Sequence, residues 1–180
     1  MPTSSSPSLT TSRLYLQQVM PQDQAFIFEG LSHPDVIRFY GVRYHSYEST
    51  AAQMEWYQQM LKDGSGIPWK MVEISSGKSI GVITVYFYKP LHKKAEVGFW
   101  ILPQYWNRGY ATEALQEVIR YWKEEQQLHR MEAFVETGNN SSARILSKTG
   151  FKKEGTMIDC EIKDGKYISL EIFGWVNRGS

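Results

Sequence analysis

The chain has 180 residues, 42% of them hydrophobic and 25 aromatic (8 Phe, 11 Tyr, 6 Trp), which suits one globular domain and excludes disordered or coiled-coil composition. A formal charge of +1 gives no concentrated basic surface for nucleic acid, and one cysteine, Cys160, permits no intramolecular disulfide. No Cys/His cluster has metal-site spacing, no run of about 18 apolar residues offers a membrane span, and MPTSSSPSL lacks a secretory signal's basic start and apolar stretch. A cytoplasmic protein with no metal, no nucleic-acid partner and no membrane anchor is the expectation.

Residues 1–8, rich in Ser and Pro, read as a loose leader, with one domain over 9–178. Arg13 to Val19 reads as a first strand. Pro21 opens a helix carrying Ala25, Phe26, Phe28 and Leu31, and a short segment runs from Pro34 to Tyr40. Thr50 to Leu61 places Met54, Tyr57 and Leu61 on one helical side, stopped at Lys62-Asp63-Gly64. The period then turns extended: Trp69 to Ile74 and Ser79 to Tyr88 flank the turn Ser75-Ser76-Gly77-Lys78, and Ala95 to Leu102 forms another strand. A helix with the stripe Ala111, Leu115, Val118, Ile119 and Trp122 ends near Gln127. Met131 to Glu136 is a strand, Asn140 to Thr149 a helix, and Phe151 to Ile158 and Tyr167 to Trp175 close the chain around Asp164-Gly165. This order predicts an α/β (α+β) domain: a mixed, mostly antiparallel central sheet flanked by helices on both faces and split by one parallel crossover.

Two segments carry chemistry. In Val97 to Ala114, a strand passes through a tight loop into a helix whose first amides, with the helix dipole, suit a phosphate or pyrophosphate. Asn107 and Arg108 add donors. The segment is neither GxxxxGK[ST] nor GxGxxG, so an anion site competes with a plain strand-to-helix connection. In Asn139 to Phe151, Asn139 or Asn140 caps a helix, Ile145 and Leu146 face the core and Gly150 ends it, leaving Asn139 or Ser142 able to project into a groove.

Together with Leu9-Thr10-Thr11-Ser12-Arg13-Leu14, Gly81-Val82-Ile83, Gly98-Phe99-Trp100-Ile101 and Glu154-Gly155, these segments resemble the GCN5-related N-acetyltransferase (GNAT) superfamily. Within it they resemble the branch that acetylates the N-termini of ribosomal proteins. The resemblance implies a single GNAT-like domain that transfers acetyl from acetyl-CoA to a primary amine in a ternary complex. It implies that Asn107, Arg108, Gly109, Tyr110, Ala111 and Thr112 hold the pyrophosphate, and that Phe99, Ile101 and Leu102 offer backbone groups to pantetheine. Asn139 matches the family residue that touches pantetheine, and Ser142 the serine near the thioester sulfur. Trp106 and Asn107 depart from the family's usual Gln or Arg and Gly, a change in side-chain more than main-chain contacts. A homodimer is a further partner the family suggests.

Acetyl transfer needs a neutral amine near the carbonyl, a donor for the oxyanion and a proton for the departing thiolate. Glu96 is the candidate base, acting directly or through water, against an exposed strand carboxylate or a structural partner. Ser142 is the candidate acid, against a hydroxyl in a first helical turn, and a backbone N–H near Ile101 the oxyanion donor. His33, His45, His92 and His129 are scattered, Cys160 reads as a strand side chain, and Lys148 suits a helix C-terminus without any ligand. Trp100, Tyr105, Trp106 and Tyr110 suit an acceptor groove or ordinary packing. The acceptor is a protein N-terminus or a small-molecule amine such as a polyamine, amino acid or aminoglycoside, with Glu29, Asp35 and Glu48 the acids that favour a cation. An acyl-CoA-binding regulatory protein without turnover is the alternative outside enzymes.

Overall fold

The computed structural model describes residues 6–179. Strands β1 (Leu9–Thr10) and β2 (Leu14–Gln18) lead through a short turn of 3-10 helix, Pro21–Asp23, to helices α1 (Gln24–Ser32) and α2 (Pro34–Ile37). Then come α3 (Ala51–Asp63), β3 (Ile67–Glu73), β4 (Ser79–Lys89), β5 (Lys94–Ile101) and α4 (Tyr110–Glu124). The chain ends with β6 (Arg130–Glu136), α5 (Asn140–Lys148), β7 (Lys152–Lys163) and β8 (Lys166–Val176). The strands form one sheet in the order β1-β2-β3-β4-β5-β6-β8-β7. Every pairing is antiparallel except β5 with β6, which α4 connects. The expected mixed sheet with one parallel crossover is the observed one.

Strand alternation sends odd and even residues of β4 and β5 to opposite faces. Ile83, Val85, Val97 and Ile101 join Ala114, Leu115, Val118 and Trp122 of α4 and Leu146 of α5 in one core cluster. Val82 and Trp100 join Ile27 and Leu31 of α1, Val36 of α2, and Met54, Tyr57 and Met60 of α3 in the other. Helices therefore cover both faces, and each core is held by burial worth about 2 kcal/mol for a fully enclosed Leu or Val side chain.

Local departures from the sequence reading have physical causes. Pro21 starts the 3-10 turn and α1 begins only at Gln24, so the inward positions are Ile27, Gly30 and Leu31 while Ala25 is exposed. Close packing of Gly30 under the Trp100 ring sets that face. The leader expected over 1–8 falls largely outside the described residues. Ser6 N–H donates to Gln18 Oε1 (2.9 Å), and Pro7 C=O accepts from the Trp69 indole (2.9 Å).

Gly81 carries the tightest approach between β4 and β5, where an added Cβ would overlap the Trp100 carbonyl oxygen and crowd Ile101 Cγ1 at 2.9 Å. The obstruction is backbone in a central strand and has little room to yield. Gly81→Ala is expected to destabilise the fold by about 3 kcal/mol, read in a melt as a Tm fall on the order of 10 °C. An unchanged Tm would show that the two strands separate easily.

Candidate active site

The parallel ladder between β5 and β6 covers three pairs, Lys94↔Arg130, Ala95↔Met131 and Glu96↔Glu132, and stops. Beyond it each strand keeps its outer partner, β5 with β4 as far as Gly81↔Ile101 and β6 with β8 as far as Glu136↔Leu170. Two strands that diverge while each stays paired on its far side open a wedge in the sheet. A cleft of about 620 Å³ occupies it, lined by Val97 to Ile101 on one side and Ala133 to Val135 on the other. The start of α4 and the face of α5 carrying Ser142 and Ile145 close its ends.

Leu102 N–H donates to Ile80 C=O (2.8 Å), which fixes the phase of β5. Residues 98, 100 and 102 turn their backbone groups toward β4, so Phe99 and Ile101 turn theirs into the cleft. This is an unpaired strand edge, suited to an extended chain bearing amides. Ile101 C=O is already taken by the Trp106 indole N–H (2.7 Å), leaving the Ile101 N–H and both groups of Phe99. The Trp that departs from the family pattern thus has a definite task. Leu102, expected beside Phe99 and Ile101, is buried against the α1–α3 core and its N–H is spent on β4.

The loop before α4 contains two left-handed residues, Asn107 (φ 59°) and Gly109 (φ 80°). Its first intrahelical bond runs from Glu113 N–H to Gly109 C=O (3.0 Å), and no side chain caps Gly109. The Tyr110, Ala111 and Thr112 amides therefore lie in the positive first turn without intrahelical acceptors. Asn107, Gly109, Tyr110, Ala111 and Thr112 all line the cleft, whereas the exposed Arg108 side chain lies over the Tyr105 ring at 5.7 Å. The structure brings this loop, the β5 edge and the α5 start to one cavity.

At the start of α5, Asn139 is the cap: its Oδ1 accepts from Ser142 N–H at 3.2 Å. Asn139 and Ser142 both line the cleft. Asn139→Ala removes the cap and is expected to cost about 1 kcal/mol, seen as a lower Tm, whereas Asn139→Asp keeps the acceptor and the Tm. Equal melting of both variants would deny the cap.

Glu96 lies on β5 opposite Tyr86 of β4 and Glu132 of β6. It is half-buried two residues before Gly98 and is not among the residues lining the cleft. Burial, then the neighbouring Glu132 charge, raises its carboxyl above the ordinary carboxylate range, partly offset by Lys94 and Lys89. Sequence reading missed the phenols around it. A Cβ on Gly98 would stand 3.5 Å from Tyr86 Cε1 and 3.6 Å from each of the Tyr40 and Tyr86 hydroxyl oxygens, so both converge on this bare stretch of β5. Burial holds both phenols well above their usual range. Glycine at 98 was the available signal, since it leaves open the one position where a side chain would stand between them.

Of the acids expected to attract a cation, Asp35 lines the cleft, while Glu29 and Glu48 are exposed elsewhere. Cys160 is exposed on β7. Among the described residues no group of three or more His, Cys, Asp or Glu is placed to hold a metal ion, and no helix is long and apolar enough to cross a membrane.

Comparison with known proteins agrees with this geometry. The uncharacterized N-acetyltransferase YoaA of Bacillus subtilis is 31% identical over 171 residues, covering 94% of this chain and 97% of that protein. Among solved structures, the ribosomal α-N-protein acetyltransferase RimL in complex with coenzyme A superposes with a TM-score of 0.85 at 16% identity, covering 94% of this chain and 98% of that one. A spermidine N-acetyltransferase from Vibrio cholerae in complex with CoA and spermine gives 0.82 at 18% identity, covering 92% and 96%. The sequence profile of the acetyltransferase (GNAT) domain spans residues 13–152. The splayed strands, the uncapped helix start and these matches together place the chain in the GNAT family, as an acetyl-CoA-dependent N-acetyltransferase.

Proposed function

We propose that this enzyme acetylates the α-amino group at a protein N-terminus, a ribosomal protein being the acceptor class its sequence resembles. The observation that carries the reading is the charge of the cleft: Asp35 is the single carboxylate among its described lining residues, against Arg38, Arg144 and Lys148. A polyamine carries several positive charges and gains little from such a wall, whereas a peptide N-terminus brings one. The pKa of the acceptor favours the same class. An α-amine, with a pKa of about 7.7–8.0, is neutral in roughly one molecule in ten at pH 7, while an alkylamine near 10.4 is neutral in fewer than one in about a thousand. A half-buried carboxylate serves the first far more readily than the second.

In this reading the Asn107 to Thr112 segment holds the donor's pyrophosphate through backbone N–H groups, and Phe99 and Ile101 align its pantetheine arm along the β5 edge, beside Asn139. Ile101 N–H faces the thioester carbonyl oxygen. As the amine nitrogen bonds to the acetyl carbon and the C–S bond breaks, the amine proton passes through water to Glu96. The sulfur takes a proton from Ser142 Oγ, which solvent restores. A cytoplasmic location belongs to the same proposal, supported by the lone cysteine.

The test is a panel of peptides with free α-amines, the same peptides blocked at the N-terminus but carrying lysine, and spermidine, each incubated with acetyl-CoA and read by mass spectrometry. Acetylation confined to free peptide N-termini is expected. Turnover of spermidine without peptide acetylation would replace this acceptor with a polyamine. Acetyl-CoA binding with no product from any amine would favour a regulatory protein.

A further inference from the structure

The loop before α4 is held from outside by a segment 100 residues away in sequence. Glu113, in the first turn of α4, accepts four hydrogen bonds from the turn between β1 and β2. Its Oε1 takes Thr11 Oγ1 (2.5 Å), Arg13 N–H (2.9 Å) and Ser12 Oγ (3.1 Å), and its Oε2 takes Arg13 Nε (2.7 Å). These bonds hold its carboxyl below the usual range despite partial burial. The other end of Arg13 donates Nη1–H to Arg108 C=O (2.9 Å), and its guanidinium lies over the Tyr110 ring, 4.5 Å from the centroid. Tyr110 is anchored in turn by its hydroxyl on Glu73, whose second oxygen accepts from Ser76 Oγ (2.6 Å).

Peptide planarity gives this arrangement a consequence. In a trans peptide the C=O of one residue and the N–H of the next point in opposite directions. Arg13 draws the Arg108 carbonyl to the outer side, and so turns the Gly109 N–H toward the cleft that Gly109 lines. The segment holds two left-handed residues within three positions, a backbone that persists only where its surroundings over-determine it. We infer that the Thr11-Ser12-Arg13 turn and Glu113 form a brace that sets the loop amides for the pyrophosphate of acetyl-CoA, with Arg13 and Glu113 as positioning residues for donor binding. The inference rests on the loop's proposed role in holding pyrophosphate.

The brace matters only to a donor that has a pyrophosphate, which supplies the test. Kinetics of wild type, Arg13→Ala and Glu113→Gln are measured with acetyl-CoA and with acetyl-pantetheine, the thioester lacking pyrophosphate and nucleotide. Each variant is expected to raise KM for acetyl-CoA about tenfold or more while kcat at saturation changes less than about threefold. Its kcat/KM for acetyl-pantetheine stays within about twofold of wild type. Glu113→Gln separates the brace from direct phosphate contact by Arg13: an unpaired guanidinium would tighten acetyl-CoA binding, whereas a loosened loop weakens it. Equal losses with both donors, or an unchanged KM for acetyl-CoA, overturn the brace. Thr11→Val, which removes one donor and keeps both charges, gives the same readout in smaller measure should Arg13→Ala fail to fold. Wild-type protein that does not bind acetyl-CoA would overturn the loop's proposed role, and the brace with it; normal wild-type binding with unaffected variants overturns the brace alone.

Discussion

Glu96→Gln is expected to lower kcat by about 100- to 1,000-fold and to remove the acidic limb of the pH–rate profile, with little change in KM for acetyl-CoA. The size follows from the value of a positioned general base, and the pH effect from where the carboxylate sits. Burial and the charge of Glu132 raise its pKa, so the competent, deprotonated form is lost as pH falls through a value above the ordinary 4.5. Activity in the wild type therefore rises with pH through that raised value. It rises again as the acceptor α-amine loses its proton near about pH 8. In Glu96→Gln only the second rise remains. Glu132→Gln is the companion variant. It removes the like charge facing Glu96 and frees Lys94, which otherwise donates to Glu132 at 3.0 and 3.2 Å, so the acidic limb should move to lower pH. A Glu96→Gln enzyme with near-normal kcat and an unchanged profile would remove Glu96 from the chemistry and leave it as a strand carboxylate beside Tyr86.

The parts legible in the sequence are those with local causes. The stripe Ala111, Leu115, Val118, Ile119 and Trp122 on α4 is one face of a helix and is buried as one face. Asp164-Gly165 turns the β7–β8 hairpin with φ of 52° and 73°, the conformation these residues adopt most cheaply. Asn107, Gly109 to Thr112, Asn139 and Ser142 lie on one cleft because each is fixed by a strand-to-helix junction that the pattern already contains. What sequence could not carry is relative placement. Arg13 and Glu113 meet through tertiary packing of the first turn on α4, and neither residue's neighbours hint at the other. The separation of β5 from β6 after Glu132 depends on each strand keeping its outer partner, a property of the whole sheet. The resemblance implies Leu102 beside Phe99 and Ile101 as a backbone partner of pantetheine, but the two-residue period of a strand points its amide the other way, to Ile80 of β4. Sequence pattern alone does not separate the 3-10 turn that Pro21 opens from a first α-helical turn, so the start of α1 at Gln24 is visible only in the structure.

Gly109→Val is expected to reduce acetyl-CoA affinity by about tenfold or more while leaving the fold intact, as calorimetric titration and a thermal melt would show together. Gly109 stands at φ 80°, in the left-handed region, where a side chain costs about 1–2 kcal/mol and a β-branched one more. The loop has two ways to respond. It can keep its shape and hold that strain, or relax toward negative φ, which rotates the peptide planes on both sides of residue 109. Relaxation is the expected course, because a β-branched residue is a genuine outlier at this φ; the nearest atom to a Cβ there, Arg13 Nη2 at 3.4 Å, is in ordinary contact and does not oppose the movement. Either rotation turns amides of the first helical turn away from the cleft, and a pyrophosphate bound by several N–H groups loses more than one. Asn107 is the internal control. It is left-handed too, at φ 59°, but asparagine tolerates that region, so Asn107→Gly should preserve affinity while Asn107→Val should mimic the loss at Gly109. If Gly109→Val and Asn107→Val bind acetyl-CoA as wild type does, the backbone of this loop is not what holds the pyrophosphate. The charge on Arg144 and Lys148, across the same cleft, would then have to hold it.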